Sequence, residues 1–203
     1  MTFCLMLDVD GVVINGRSQD GLPWETDMHR DLGISPDQLR TAFFAPFWTD
    51  IVTGKKPLLD VLEDCLTEIA PFLSARQLVD YWFSRDARMN TEILADCDEL
   101  RRCGVRIFLA TNQEHLRASH LMNHLGLGKH VDGMICSAEV GARKPHPLFF
   151  EMALRRSGFD PKQTLLVDDT EENVEAARRA GWHAFHWIGD ASLLDIVRTI
   201  YLR

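Results

Sequence analysis

Two carboxylates stand two residues apart at the end of an apolar run, and they are the first chemistry this chain offers. Phe3-Cys4-Leu5-Met6-Leu7 leads straight into Asp8-Val9-Asp10-Gly11-Val12. A buried unpaired carboxylate is strongly disfavoured. Asp8 and Asp10 at the end of a buried strand therefore suggest a metal-bound acid cluster, and the plainer reading is a solvated acidic loop. Three more segments carry reactive types in similar settings: Thr111-Asn112, Lys144-Pro145 and Asp168-Asp169. Taken singly they read as a turn or helix cap, a surface lysine and an acidic helix entry favoured by the helix dipole. Four such segments in one order are harder to assign to chance.

These segments need elements to hold them. A short, near-continuous apolar run reads as a strand buried on both faces of a parallel sheet. Val105–Thr111, a shorter stretch around Met134-Ile135-Cys136, Thr164–Asp169 and His183–Ile188 repeat that signal. Between them lie helical patterns: Ile93, Leu94, Cys97 and Leu100 before Gly104, a stretch through Leu125 before Gly126, a helix after Pro147, and Thr170–Ala180 before Gly181. Alternating strands and helices predict an α/β fold with a doubly wound parallel sheet and right-handed crossovers. Ligands of such sheets bind at the C-terminal ends of the strands.

One region breaks the alternation. After the turn glycines Gly11, Gly16 and Gly21, only helical signals appear. Ser35-Pro36-Asp37-Gln38 is a capping box with Pro at the first helical position, and Ser74 with Gln77 makes another. Pro57 opens a helix carrying Leu58, Leu62, Cys65, Leu66 and Ile69. The expected division is an α/β core of residues 1–14 and 89–203, with an all-helical insertion at 15–88 covering the strand ends.

Composition limits the alternatives. The 203 residues fit one domain with an insertion, and 46% are hydrophobic, enough for a sizeable core. A net charge of -8 with no Lys/Arg-rich stripe argues against nucleic acid. No apolar run is long enough to span a bilayer and no leader pattern precedes the first strand, so no membrane partner is expected. The five cysteines form no CxxC pair and sit mostly in apolar patterns, the usage of reduced core residues in a cytoplasmic protein.

Hydrophobic-DxDGV, hydrophobic-TN, GxxKP and hydrophobic-DD, in that order over nearly the whole chain, resemble the four motifs of the haloacid dehalogenase (HAD) superfamily. The insertion right after the first motif is similar to the helical cap of one branch. The resemblance implies Asp8 as a nucleophile that attacks phosphorus and forms an aspartyl phosphate. It implies Asp10 as the acid that protonates the leaving oxygen and then activates water, a role that needs a raised pKa. It implies that Asp8, the Asp10 carbonyl and Asp169 hold Mg²⁺, with Asp168 a ligand or a neighbour of one, since all-oxygen ligation suits that ion. Thr111 and Asn112 would bind phosphoryl oxygens, and Lys144 would balance the acids and hold the transferring group.

The expected activity is hydrolysis of a small phosphorylated metabolite. A dehalogenase is disfavoured by Asp10, because halide leaves without a proton. A phosphomutase would pass the same aspartyl phosphate to a sugar hydroxyl. A non-catalytic binding protein on this fold would have no reason to keep clustered acids. Oligomeric state is not readable from the chain.

Other residues carry weaker readings. Lys55 and Lys56, in the turn Thr53-Gly54-Lys55-Lys56-Pro57, are candidates for a second anionic group on the substrate; the plain alternative is a solvated basic turn. His115 follows the phosphate-binding segment and is a candidate substrate contact. His120 and His124 have zinc-site spacing but no catalytic Glu between them and no third ligand, so a solvated helix face is favoured. His146 reads as a helix-entry residue. Arg143 could meet Asp168 or Asp169, with a structural role favoured. Asn173 could orient the acid pair or simply fill a first helical turn. The clusters Phe43, Phe44, Phe47, Trp48 and Tyr81, Trp82, Phe83 read as core packing.

Overall fold

A computed structural model of the chain describes residues 3–189 and 191–201. Its centre is a five-stranded parallel sheet: β1 (Cys4–Leu7), β2 (Arg106–Thr111), β3 (Gly133–Cys136), β4 (Thr164–Asp168) and β5 (His183–His186), in the spatial order β3-β2-β1-β4-β5. The α/β expectation holds. β1 lies in the middle and every residue in it is buried. Its side chains alternate, as a strand requires. Leu5 and Leu7 pack with Ile93, Cys97 and Leu193 on one face, while Cys4 and Met6 pack with Phe149, Phe150 and Ala177 on the other. Helices Thr91–Arg102 and Leu193–Tyr201 supply the first layer, and Pro147–Ser157 and Glu171–Arg179 the second.

Register determines what meets at the sheet edge. Leu7 is opposite both Leu109 and Val167. Asp8, one residue past β1, donates its N–H to the Val167 carbonyl at 2.9 Å. The residues following Leu7, Leu109 and Val167 therefore emerge side by side at the C-terminal edge.

Several elements differ from expectation. β5 ends at His186 rather than Ile188. The stretch expected to run as one helix through Leu125 is α-helical over His115–Ser119, then widens into a π turn at His120–His124. Pro36–Leu39, a π turn at Arg40–Phe44 and Ala45–Val52 follow one another directly. Pro46 explains that widening, because its ring cannot donate to the carbonyl four residues back. That carbonyl, of Ala42, instead accepts from the Cys65 thiol at 3.3 Å. Both capping boxes form.

The helices Met28–Leu32 through Ala75–Arg85 bury a core of their own, including Met28, Phe43, Leu62, Leu66, Leu78 and Trp82. Its entry and exit strands lie side by side: Asn15 donates to the Arg88 carbonyl at 2.9 Å, and Asn90 to the Val13 carbonyl at 2.8 Å. Three contacts seat this helical layer on the sheet edge. The Ser137 hydroxyl donates to the Val52 carbonyl. The fully buried Arg117 donates to the Asp86 carboxylate at 3.1 Å and lies over the Phe83 ring. Gly54 approaches so closely that a Cβ there would stand 2.4 Å from the Ala138 carbonyl oxygen.

Gly54 has φ of +73°, where a side chain is strained. Gly54→Ala is expected to cost about 1–2 kcal/mol from backbone strain alone, a fall of roughly 2–8 °C in Tm. It should also increase proteolysis near residues 52–57. Calorimetry with limited proteolysis checks this, and an unchanged Tm would contradict the close approach.

Candidate active site

Lys144 is the centre of the site. It is buried ahead of helix Pro147–Ser157, and its ammonium reaches Asp168 Oδ2 at 2.6 Å and Asp8 Oδ1 at 3.0 Å. The two acids are neighbours because β1 and β4 are neighbours. Burial pulls the lysine towards neutrality, but the paired carboxylates win, and its pKa stands above the ordinary value. Burial pushes the Asp8 carboxyl up and Lys144 opposes it. Asp8 Oδ1 also accepts the Val9 N–H at 2.7 Å, while Oδ2 has no hydrogen bond among the described residues.

The two acids after β4 differ. Asp168 is fully buried and its oxygens are occupied by Lys144, the Thr170 N–H at 2.9 Å and the Asn173 amide at 3.0 and 3.2 Å. Asn173 thus orients Asp168. Asp169 is exposed, and burial of its carboxyl together with the Asp168 charge raises its pKa. Gly11 makes room for it: a Cβ there would stand 2.0 Å from Asp169 Oδ2. His186, which the sequence analysis did not single out, lies 2.9 Å through Nε2 from the Asp169 carbonyl.

Oxygens of Asp8, Asp168 and Asp169 lie within 4.8 Å of one another, the one such cluster of three metal-ligating side chains among the described residues. Three carboxylates cluster beside a single ammonium that contacts two of them, all donors are oxygen, and one Asp8 oxygen has no hydrogen bond among the described residues. That set fits a hard divalent cation. A cleft of about 710 Å³ opens beside it, bordered by Gly11, Asn15, Arg88, Asp169, His186 and Trp187.

The segment after β2 divides its side chains among separate tasks. Thr111 is buried at the strand end, and its hydroxyl has no hydrogen bond to the protein among the described residues. Asn112 grips the Lys144 backbone on both sides, accepting its N–H at 2.8 Å and donating to its carbonyl at 3.0 Å. The Asn112 side chain thus commits its oxygen and one of its two N–H groups to the Lys144 backbone. Gln113, also unremarked in the sequence, donates to Asp10 Oδ2 at 2.6 Å. Glu114 caps the next helix through the Leu116 and Arg117 N–H groups. Protein atoms around the Asp10 carboxyl, with the charge of Asp86, push it up to about 6, although the residue keeps surface exposure at the rim.

Other candidates lie apart from this cluster. Lys55 is exposed and pairs with Asp50 at 3.6 Å, and Lys56 is exposed over the Phe47 ring. His115 is exposed on the first turn of the helix His115–Ser119. His120 and His124 stack with ring centroids 5.6 Å apart, and His120 also packs on Phe83. Arg143 turns away from the acids towards the Lys144 carbonyl and the Thr49 hydroxyl, both at 3.4 Å. His146 caps its helix. All five cysteines are free. No helix among the described residues is long and apolar enough to cross a membrane.

Comparison with known proteins places the chain in a family and its fold among solved structures. The family model for haloacid dehalogenase-like hydrolases matches residues 4–181. Phosphoserine phosphatase of Thermus thermophilus is 33% identical over 117 residues, covering 56% of this chain and 47% of that protein. The chain thus spans about half the length of that relative. A phosphatase of Mycobacterium tuberculosis is 26% identical over 189 residues, 89% of this chain and 85% of its own. A HAD family enzyme of Bacteroides thetaiotaomicron, solved with magnesium and inorganic phosphate, shares the fold with a TM-score of 0.80 at 18% identity, covering 98% of this chain and 100% of that one.

Lys144→Met would leave Asp8 and Asp168 buried without their shared counter-charge. It is expected to destabilise the protein by about 3–5 kcal/mol, read by urea denaturation. A change under about 1 kcal/mol would mean the ammonium is dispensable to the fold.

Proposed function

The chain belongs to the haloacid dehalogenase-like hydrolase family, and from that premise we propose that it is a Mg²⁺-dependent phosphomonoester hydrolase of a small phosphorylated metabolite. One observation carries the choice of reaction. Asp10 is a second carboxyl, raised to about 6, two residues from an acid pinned by a buried lysine. Halide displacement has no use for a proton donor there, whereas an ester oxygen does.

The proposed course follows from these positions. An Asp8 oxygen attacks phosphorus, the bond from phosphorus to the ester oxygen breaks, and Asp10 gives that oxygen its proton. Asp10, now a carboxylate, takes a proton from water as the water oxygen bonds to phosphorus. The bond to Asp8 breaks, releasing inorganic phosphate and restoring both acids. A carboxylate is a weak nucleophile, so the phosphoryl charge must be neutralised before it reacts. Lys144 supplies one positive charge, and the Thr111 hydroxyl is a free donor at the strand end. Asp8, Asp169 and the Asp10 carbonyl would hold the Mg²⁺, while Asp168, whose oxygens are already engaged, anchors Lys144. Bound there, the ion would offset phosphoryl charge in the ground and transition states. Residues 15–88 would act as a cap that excludes water and selects the substrate.

The first test is phosphate release from a panel of small phosphate esters, with and without Mg²⁺. Release should require Mg²⁺ and fall by about 10³-fold or more in Asp8→Asn. No release from any ester would overturn the reading.

A pH profile gives a second check. The first step needs Asp10 protonated, so kcat/KM for an alkyl ester should fall as pH rises through about 6. Asp10→Asn should remove that limb while lowering the rate. A limb that survives the substitution would assign it to another group.

A further inference from the structure

We propose that Gln113 is the positioning residue for Asp10, holding its carboxyl towards the reacting oxygen. The inference rests on the phosphatase reading and adds to it a residue outside the family-like motifs. Asp10 stands at an exposed rim, and the 2.6 Å bond from Gln113 Nε2 is its one side-chain hydrogen bond among the described residues. Gln113 itself is 2% exposed and rigidly held. Its backbone carbonyl accepts from the Ala138 N–H at 3.2 Å, the Ser137 hydroxyl at 3.1 Å and the Cys136 thiol at 2.9 Å. The same Ser137 hydroxyl reaches Val52 of the helical layer, so the residue is clamped where the two layers meet.

The residue type matters. The Gln113 Oε1 atom is buried and has no partner among the described residues. A buried orphan acceptor is costly to keep. A carboxamide offers a donor on one side and an acceptor on the other. The N–H suits Asp10 as carboxylate. A hydrocarbon in its place would offer the Asp10 carboxyl no hydrogen bond.

The test uses the full chain with Mg²⁺ and two substrates: the best alkyl phosphate from the panel and p-nitrophenyl phosphate. The nitrophenolate leaves readily without a proton, so its kcat/KM does not depend on an aimed acid. Gln113→Met keeps length and removes both polar groups. It should lower kcat/KM for the alkyl ester by about 10- to 100-fold and for the aryl ester by less than about threefold. Asp10→Asn should show the same selectivity, and Gln113→Met in that background should cost little more. Gln113→Glu keeps the shape without a donor when ionised. It should show the same selective loss, and it serves if the Met variant does not fold.

Equal losses on both esters, or additive losses in the double variant, would overturn the inference and leave the phosphatase reading standing. A wild-type chain that hydrolyses neither ester overturns both.

Discussion

A single buried ammonium organises this protein. Lys144 lies between Asp8 and Asp168, one from each of two adjacent strands, in a place where either acid alone would be expensive. The lysine stays charged because two carboxylates face it, and burial cannot neutralise it against both. Other contacts serve that arrangement. Asn112 fixes the lysine backbone from β2, and Asn173 fixes Asp168 from the following helix. Four segments distant in sequence are thus held to within hydrogen-bond tolerance of one another.

The same strand end holds two carboxyls of different character. Asp8 is buried against Lys144, while Asp10 stands at the rim beside Gln113 and is raised chiefly by the surrounding protein and the charge of Asp86. Two carboxylates with environments that separate them can take separate roles. Backbone geometry makes the separation possible. Gly11, at φ of +80°, turns the chain immediately after Asp10 and lets Asp169 approach where a side chain would collide. The helical layer contributes as well. Asp86, which raises Asp10, comes from its exit strand and is held by the buried Arg117. The charge felt at Asp10 therefore depends on how that layer is seated.

The strands were legible in sequence because parallel strands buried on both faces must be apolar throughout, as Cys4–Leu7 and Thr164–Val167 are. Helix starts were legible where the caps are local: Ser35 with Gln38, Ser74 with Gln77. The continuation of the helix opened by Ser35 past Pro46 was not, because the compensating partner for the Ala42 carbonyl is Cys65, twenty-three residues on. The sequence marks Lys55 and Lys56 as candidates for an anionic group of the substrate but does not show their neighbours within the layer, Asp50 and the Phe47 ring.

The amino-acid sequence by itself determined the α/β class and the acids, lysine and threonine at the strand ends. Those follow from local periodicity and from residue types that have no cheap place elsewhere in a core. Only the tertiary structure decided what each polar side chain does. Asn112 and Gln113 are adjacent and chemically alike, yet one grips the Lys144 backbone and the other holds Asp10. Asp168 and Asp169 are identical residues, yet one is saturated by hydrogen bonds and the other exposed. A hydrogen bond is specified by the position of its partner, and here those partners come from other strands and loops, so no window of neighbouring residues contains them.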